Sequence, residues 1–128
     1  MENGLRRFVE AQDRGGTYPQ ALAELQGGRK RGHWIWFVFP QAAGLGTSEM
    51  SRRYAIASGE EAAAYLAHPV LGARLIECAE ALLALPGSDP VAVMGELDAL
   101  KLRSSMTLFA QVDGADPVFR RVLDRYFP

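Results

Sequence analysis

Asp98, Lys101, Ser104 and Ser105 are spaced 3, 3 and 1 residues apart. On a helix that spacing lets Lys101 meet Ser104 or Ser105 on one face. A lysine stripped of water in a partly buried setting loses basicity and can act as base for a neighbouring hydroxyl. The pattern therefore admits a Ser–Lys nucleophile pair. It equally describes an ordinary Asp98–Lys101 surface pair, with serines bonded back to their own helix. The sequence offers no oxyanion donor or third partner, so a binding role for this face is the better expectation.

A second constellation is the turn Gly44-Leu45-Gly46-Thr47-Ser48, followed by Arg52 and Arg53. Glycines allow close backbone approach, a helix N-terminus offers free N–H groups, and arginine forks match phosphate or carboxylate. Glu49 stands where a G-x-G-x-x-G pattern needs its third glycine, and no Walker pattern exists. An anionic small molecule is the ligand class this would suit; a flexible connection with a solvated basic pair is the alternative.

His33 and His68 are the only histidines and Cys78 the only cysteine. Without His-Glu-x-x-His or a cysteine pair, no metal and no cofactor is expected. His33 heads the run Trp34-Ile35-Trp36-Phe37-Val38-Phe39-Pro40-Gln41 and is the better placed of the two for acid–base or ligand contact. His68, before Pro69, reads as a loop side chain bonding locally. Trp34 and Trp36 could stack on a base or sugar ring; packing in the core is the commoner fate.

These groups need a scaffold. A chain of 128 residues reads as a single globular helical domain over 1–128, able to bury roughly two-thirds of its unfolded surface. Its net charge of −1 gives no field toward nucleic acid, which is disfavoured as a partner. The longest apolar run, Trp34 to Phe39, is too short to span a bilayer. No signal segment is expected at Met1–Arg7, and a cytoplasmic protein is the default. No protein partner can be named from the residues.

Leu5, Phe8, Val9 and Gln12 predict a helix over 5–13, and Thr17 with Gln20 predicts a capping box for a second over 17–26. Residues 33–39 read as strand or helix. With no second run to pair with, a short buried helix stopped before Pro40 is preferred. Ser48 is expected to cap a helix through about Ala57, and Ser58 with Glu61 to box one through about Ala67. Pro69 sits at a first helical position. Leu71, Leu75, Cys78, Leu82 and Leu85 form the next apolar stripe. Asp89-Pro90 and Asp116-Pro117 are start signals. Between them lies a helix over 96–111 whose Leu102, Met106 and Phe109 point inward. The last helix buries Phe119, Val122, Leu123 and Tyr126. The fold class is all-α: a compact multihelical single domain of about seven short helices.

The stretches His33–Gln41, Tyr54-Ala55-Ile56, His68-Pro69-Val70-Leu71-Gly72 and Asp98–Phe109 resemble those of the domain of unknown function 1810 (DUF1810) family, an uncharacterised bacterial family. The resemblance covers essentially the whole chain. It implies a mainly helical single domain and no activity. Some members carry the label calpastatin, but such inhibitors are long, disordered and repetitive, unlike this short globular chain. The polar residues within those stretches are His33, Gln41, Lys101, Ser104, Ser105 and Thr107. A fold that set 33–41 against helix 96–111 would gather them in one pocket floored by Trp34 and Trp36.

Overall fold

The computed structural model describes residues 2–128. Nine α-helices and one 3-10 turn occur among them: α1 (Glu2–Asp13), α2 (Thr17–Gln26), α3 (Ile35–Val38), α4 (Glu49–Arg53), α5 (Gly59–Ala67), α6 (Leu71–Ala84), α7 (Pro90–Met94), α8 (Glu96–Ala110) and α9 (Val118–Tyr126), with the turn at Arg14–Gly16. The all-α class is as expected, with nine helices among the described residues where about seven were expected. None is long and apolar enough to cross a membrane.

α6 packs against α2, α5 and α9, while α8 packs against α3, α5, α7 and α9. Apolar stripes on both helices explain this placement. Leu71, Leu75, Cys78 and Leu82 are buried on α6, and Leu102, Met106 and Phe109 on α8. Aromatic rings join the layers in one series. Phe8 meets Tyr65 at 5.2 Å, Tyr65 meets Phe109 at 5.2 Å, and Phe109 meets Phe119 at 6.0 Å. That series links α1, α5, α8 and α9 through offset and edge contacts.

Residues 35–38 are helical, as preferred over a strand. One helical turn leaves most of its carbonyls without helical partners. Buried Gln12 donates through Nε2 to Phe37 O at 2.7 Å, and its Oε1 accepts from Arg74 at 3.2 Å. A side chain of α1 thus satisfies α3 and ties it to α6. Beyond Pro40 the chain makes a single parallel bridge: Ile56 N donates to Gln41 O at 2.8 Å and Ala43 N to Ile56 O at 2.9 Å. This bridge ends α4 at Arg53, short of the expected Ala57. Arg7 receives the freed carbonyls, donating to Arg53 O at 2.8 Å and Ala55 O at 2.7 Å.

The capping expectations divide. Ser48 accepts from Ser51 N, Ser58 from Glu61 N, and Asp89 from Val91 N. Glu61 reaches back one residue further than a standard box, accepting from Ala57 N at 2.8 Å. The box at Thr17 does not form. Gly15 and Gly16 turn the chain with φ of 59° and 71°, so Thr17 is already helical and its hydroxyl donates to Arg14 O. Nor is Pro69 helical. His68 Nδ1 accepts from Val70 N and Leu71 N, so the histidine opens α6 from the loop. Gly72 lets α6 run hard against the end of α5: a Cβ there would fall 2.9 Å from the carbonyl carbon of Leu66 and closer still to its oxygen.

Candidate functional site

α8 carries apolar residues on two faces. Ala99, Leu102, Met106 and Phe109 are buried, whereas Leu97 and Leu100 are 73% and 62% exposed. The inward set builds the core. The outward pair has no such explanation, and the polar residues of the helix divide between two places around it.

The first place is the N-terminal end of α8, where Asp98 is the hub. Lys30 Nζ lies 2.7 Å from Asp98 Oδ2, and Lys101 Nζ lies 3.4 Å from Oδ1. Lys30 is nearly buried, donates to Gly32 O, and stands 4.9 Å from the centre of the Trp34 ring. Beneath it Trp34 is buried, its Nε1 donating 2.9 Å to Glu24 Oε1. The same oxygen accepts from Arg31 N at 2.8 Å and Gly32 N at 2.9 Å. Burial works to raise the Glu24 pKa. The backbone donors Gly32 and Arg31, with Gln20 and Trp34, outweigh it and hold the carboxyl down to about 2. The cluster clamps loop 27–34 onto α8, and Lys101 serves in it as a counter-charge to Asp98. Its recorded side-chain partner is that carboxylate, not Ser104 or Ser105. Ser105 faces the core, its Oγ buried with no hydrogen-bond partner among the described residues.

The second place is a groove of about 450 Å³ between loop 42–45 and the outward face of α8. Leu45, Leu100 and Leu108 supply its apolar wall; Arg103, Ser104, Thr107 and Gln111 supply its polar groups. Thr107 Oγ1 donates to Arg103 O at 2.8 Å, which uses its proton and leaves the hydroxyl acceptor capacity only. The side chains of Arg103, Ser104 and Gln111 have no hydrogen-bond or ion-pair partner among the described residues.

The profile of the family described as "Protein of unknown function (DUF1810)" matches residues 2–128. The chain belongs to the DUF1810 family. It is also similar to a solved structure, the conserved hypothetical protein Rv1873 from Mycobacterium tuberculosis, at 49% identity and a TM-score of 0.92, covering 96% of this chain and 86% of that one. No curated protein matches the chain. The DUF1810 stretches fall on the joints just described. His33–Gln41 carries the Trp34 clamp and the Gln41 bridge, Tyr54-Ala55-Ile56 the other side of that bridge, His68–Gly72 the tight α5–α6 corner, and Asp98–Phe109 both faces of α8.

Of the residues singled out from sequence, the groove gathers Ser104 and Thr107. Trp34 and Trp36 do not floor it: Trp34 lies under Lys30, and Trp36, half-buried, packs on the core. His33 is exposed, with no side-chain partner among the described residues, and Gln41 engages through its backbone. Arg52 turns back to Thr47 O, and Arg53 lies 5.8 Å from the Tyr54 ring centre, so neither reaches the groove. Leu45, Leu100, Arg103 and Gln111 are additions. Leu97 and Leu100 had one readable signal: both fall outside the helical face marked by Leu102, Met106 and Phe109. Among the described residues no cluster of His, Cys, Asp or Glu gathers as a metal site would.

Proposed function

We propose that the protein is a binding protein, and that its site is the α8 groove, which takes a ligand with an apolar body and an anionic head. The observation that carries this reading is the convergence in one concavity of exposed leucines with the unpaired Arg103, Ser104 and Gln111 side chains. Few polar groups set precisely against an apolar wall are what orient a small ligand. A carboxylate on Arg103 would gain a charge-assisted bond, and Ser104 and Gln111 would add donors. Arg103 is the sole ionisable residue lining the groove, so the groove itself holds no base to take a proton at neutral pH.

Octanoate is a suitable probe, followed by amide shifts in a ¹⁵N spectrum. Shifts confined to residues 42–45 and 100–111, and lost in both Arg103→Glu and Leu100→Asp, are expected. Shifts scattered over the surface, or unchanged in those variants, would overturn the reading. A folded protein partner is the second reading, favoured by Leu97 and Val91, which stay exposed beyond the groove. A partner of that size would be weakened by Leu97→Asp and Val91→Asp; a ligand confined to the groove would not.

A further inference from the structure

We infer that the natural occupant of this groove is an extended peptide segment bearing an acidic group toward one end and a basic side chain toward the other. The inference rests on the α8 groove being the binding site, and it comes from what lies past Gln111. Leu108 and Gln111 also line a second hollow of about 400 Å³, between the first turn of α5 and the end of α8. Ala63, Val112 and Asp113 of that hollow in turn line a third of about 410 Å³, running between α5, α6 and the turn before α9. Their shared lining residues set the three hollows in a row, a segmented trough. A compact ligand fills the first hollow and leaves the other two empty, whereas an extended chain can lie along all three.

The trough is polarised. Arg103 stands in the first hollow; Glu60 and Asp113 stand in the second, exposed and without ion-pair or hydrogen-bond partners among the described residues. Asp116 lines the third, with one oxygen already accepting from Val118 N at 2.8 Å. Arg103 to Ala110 is seven helical positions, about 10 Å at the helical rise, and Asp113 lies three residues past the helix end. An extended peptide crosses the helical part in about three residues at about 3.3 Å each, and the turn beyond it in about one or two more. Between the charged ends the walls are mixed: Leu108, Val112, Ala62 and Ala63 are apolar, while Thr107 and Gln111 are polar. Charge complementarity therefore specifies an acid and a base about five residues apart, with apolar residues between them.

The test uses the whole chain, octanoate, and a pooled set of end-blocked hexapeptides. Each peptide carries Glu at one end, Lys at the other and Leu, Val or Ala between, and both chain directions are included. In low salt the pool should yield peptides binding at least tenfold tighter than octanoate. Ala63 is exposed, so Ala63→Trp fills the second hollow from the surface. It should weaken those peptides at least fivefold and leave octanoate unchanged. Glu60→Lys with Asp113→Lys should do the same, and peptides with Glu in place of Lys should regain affinity for that variant. Octanoate binding with no peptide tighter, or peptides indifferent to Ala63→Trp, would overturn the inference and leave the groove reading standing. Failure of octanoate and peptides alike would remove both.

Discussion

Gly72→Ala separates packing from helix propensity, because the two give opposite signs. Alanine is the better helix former by up to about 1 kcal/mol, and Gly72 does not have the positive φ that would penalise a side chain. On propensity alone the variant is stabilised. Yet the new Cβ would sit 2.9 Å from the carbonyl carbon of Leu66, against an ordinary carbon–carbon separation of about 3.5 Å. The obstacle is backbone, so no rotamer change relieves it; α6 must withdraw from α5 by about 0.6 Å, and further for the carbonyl oxygen. Leu71, Leu75 and Tyr65, all buried at this joint, would lose contact together. Overpacking of this kind costs about 1–3 kcal/mol. At about 2 kcal/mol and about 3–6 °C per kcal/mol for a domain this size, Tm should fall by about 6–12 °C. Calorimetry measures it directly. Gly59→Ala is the internal control: nothing lies within 4 Å of its Cβ, so it should gain about 0.4–1 kcal/mol. A Gly72→Ala protein as stable as the parent, beside a stabilised Gly59→Ala, would refute the packing account.

Two further outcomes follow from titrating groups. Glu24, held near 2 against an ordinary 4.5, stabilises the fold fully above about pH 4.5, and that contribution is lost as pH falls toward 2. Glu24→Gln should flatten the acid limb of Tm against pH in that window; an unchanged limb would mean the loop clamp does not couple to folding. Cys78 is pushed from 9.0 up to about 12, first by burial and then by Glu77, against the lowering effects of Tyr18 and Arg74. Iodoacetamide at pH 8.5 should therefore spare the native thiol and react after unfolding in urea, with alkylation followed by mass. The raised value also means stability present below about pH 9 and lost as pH climbs toward 12, with buried Tyr18 and Tyr65 displaced in the same direction.

Periodicity made most of the helices legible. The stripe on α6 and the inward face of α8 were readable as spaced leucines, and both are buried as the spacing required. Caps were legible where a side chain had one local use, as at Ser48, Ser58 and Asp89. They failed where tertiary geometry chose otherwise: paired left-handed glycines pre-empted Thr17, and His68 pre-empted Pro69. Residues 33–39 were settled by a backbone argument rather than by pattern, and the group that meets that backbone demand is Gln12, twenty-five residues away. No reading of spacing along one segment would have paired them.

The polar residues of α8 show why a chemical motif in sequence can dissolve in three dimensions. Asp98 and Lys101 do pair at 3.4 Å, as their spacing expects, but Lys101 meets neither Ser104 nor Ser105. What the spacing could not carry was competition from elsewhere in the chain. Lys30, reaching from loop 27–34, is the closer partner of Asp98, at 2.7 Å against 3.4 Å for Lys101. Two cations thus share one carboxylate, and Lys101 is engaged there rather than with a serine hydroxyl. Ser105 meanwhile turns inward with the core residues. The chemistry left free on α8 therefore belongs to the side that no other helix covers, where Leu100, Arg103 and Ser104 meet Leu45. An unpaired guanidinium beside exposed leucines is the feature on which the binding proposal rests.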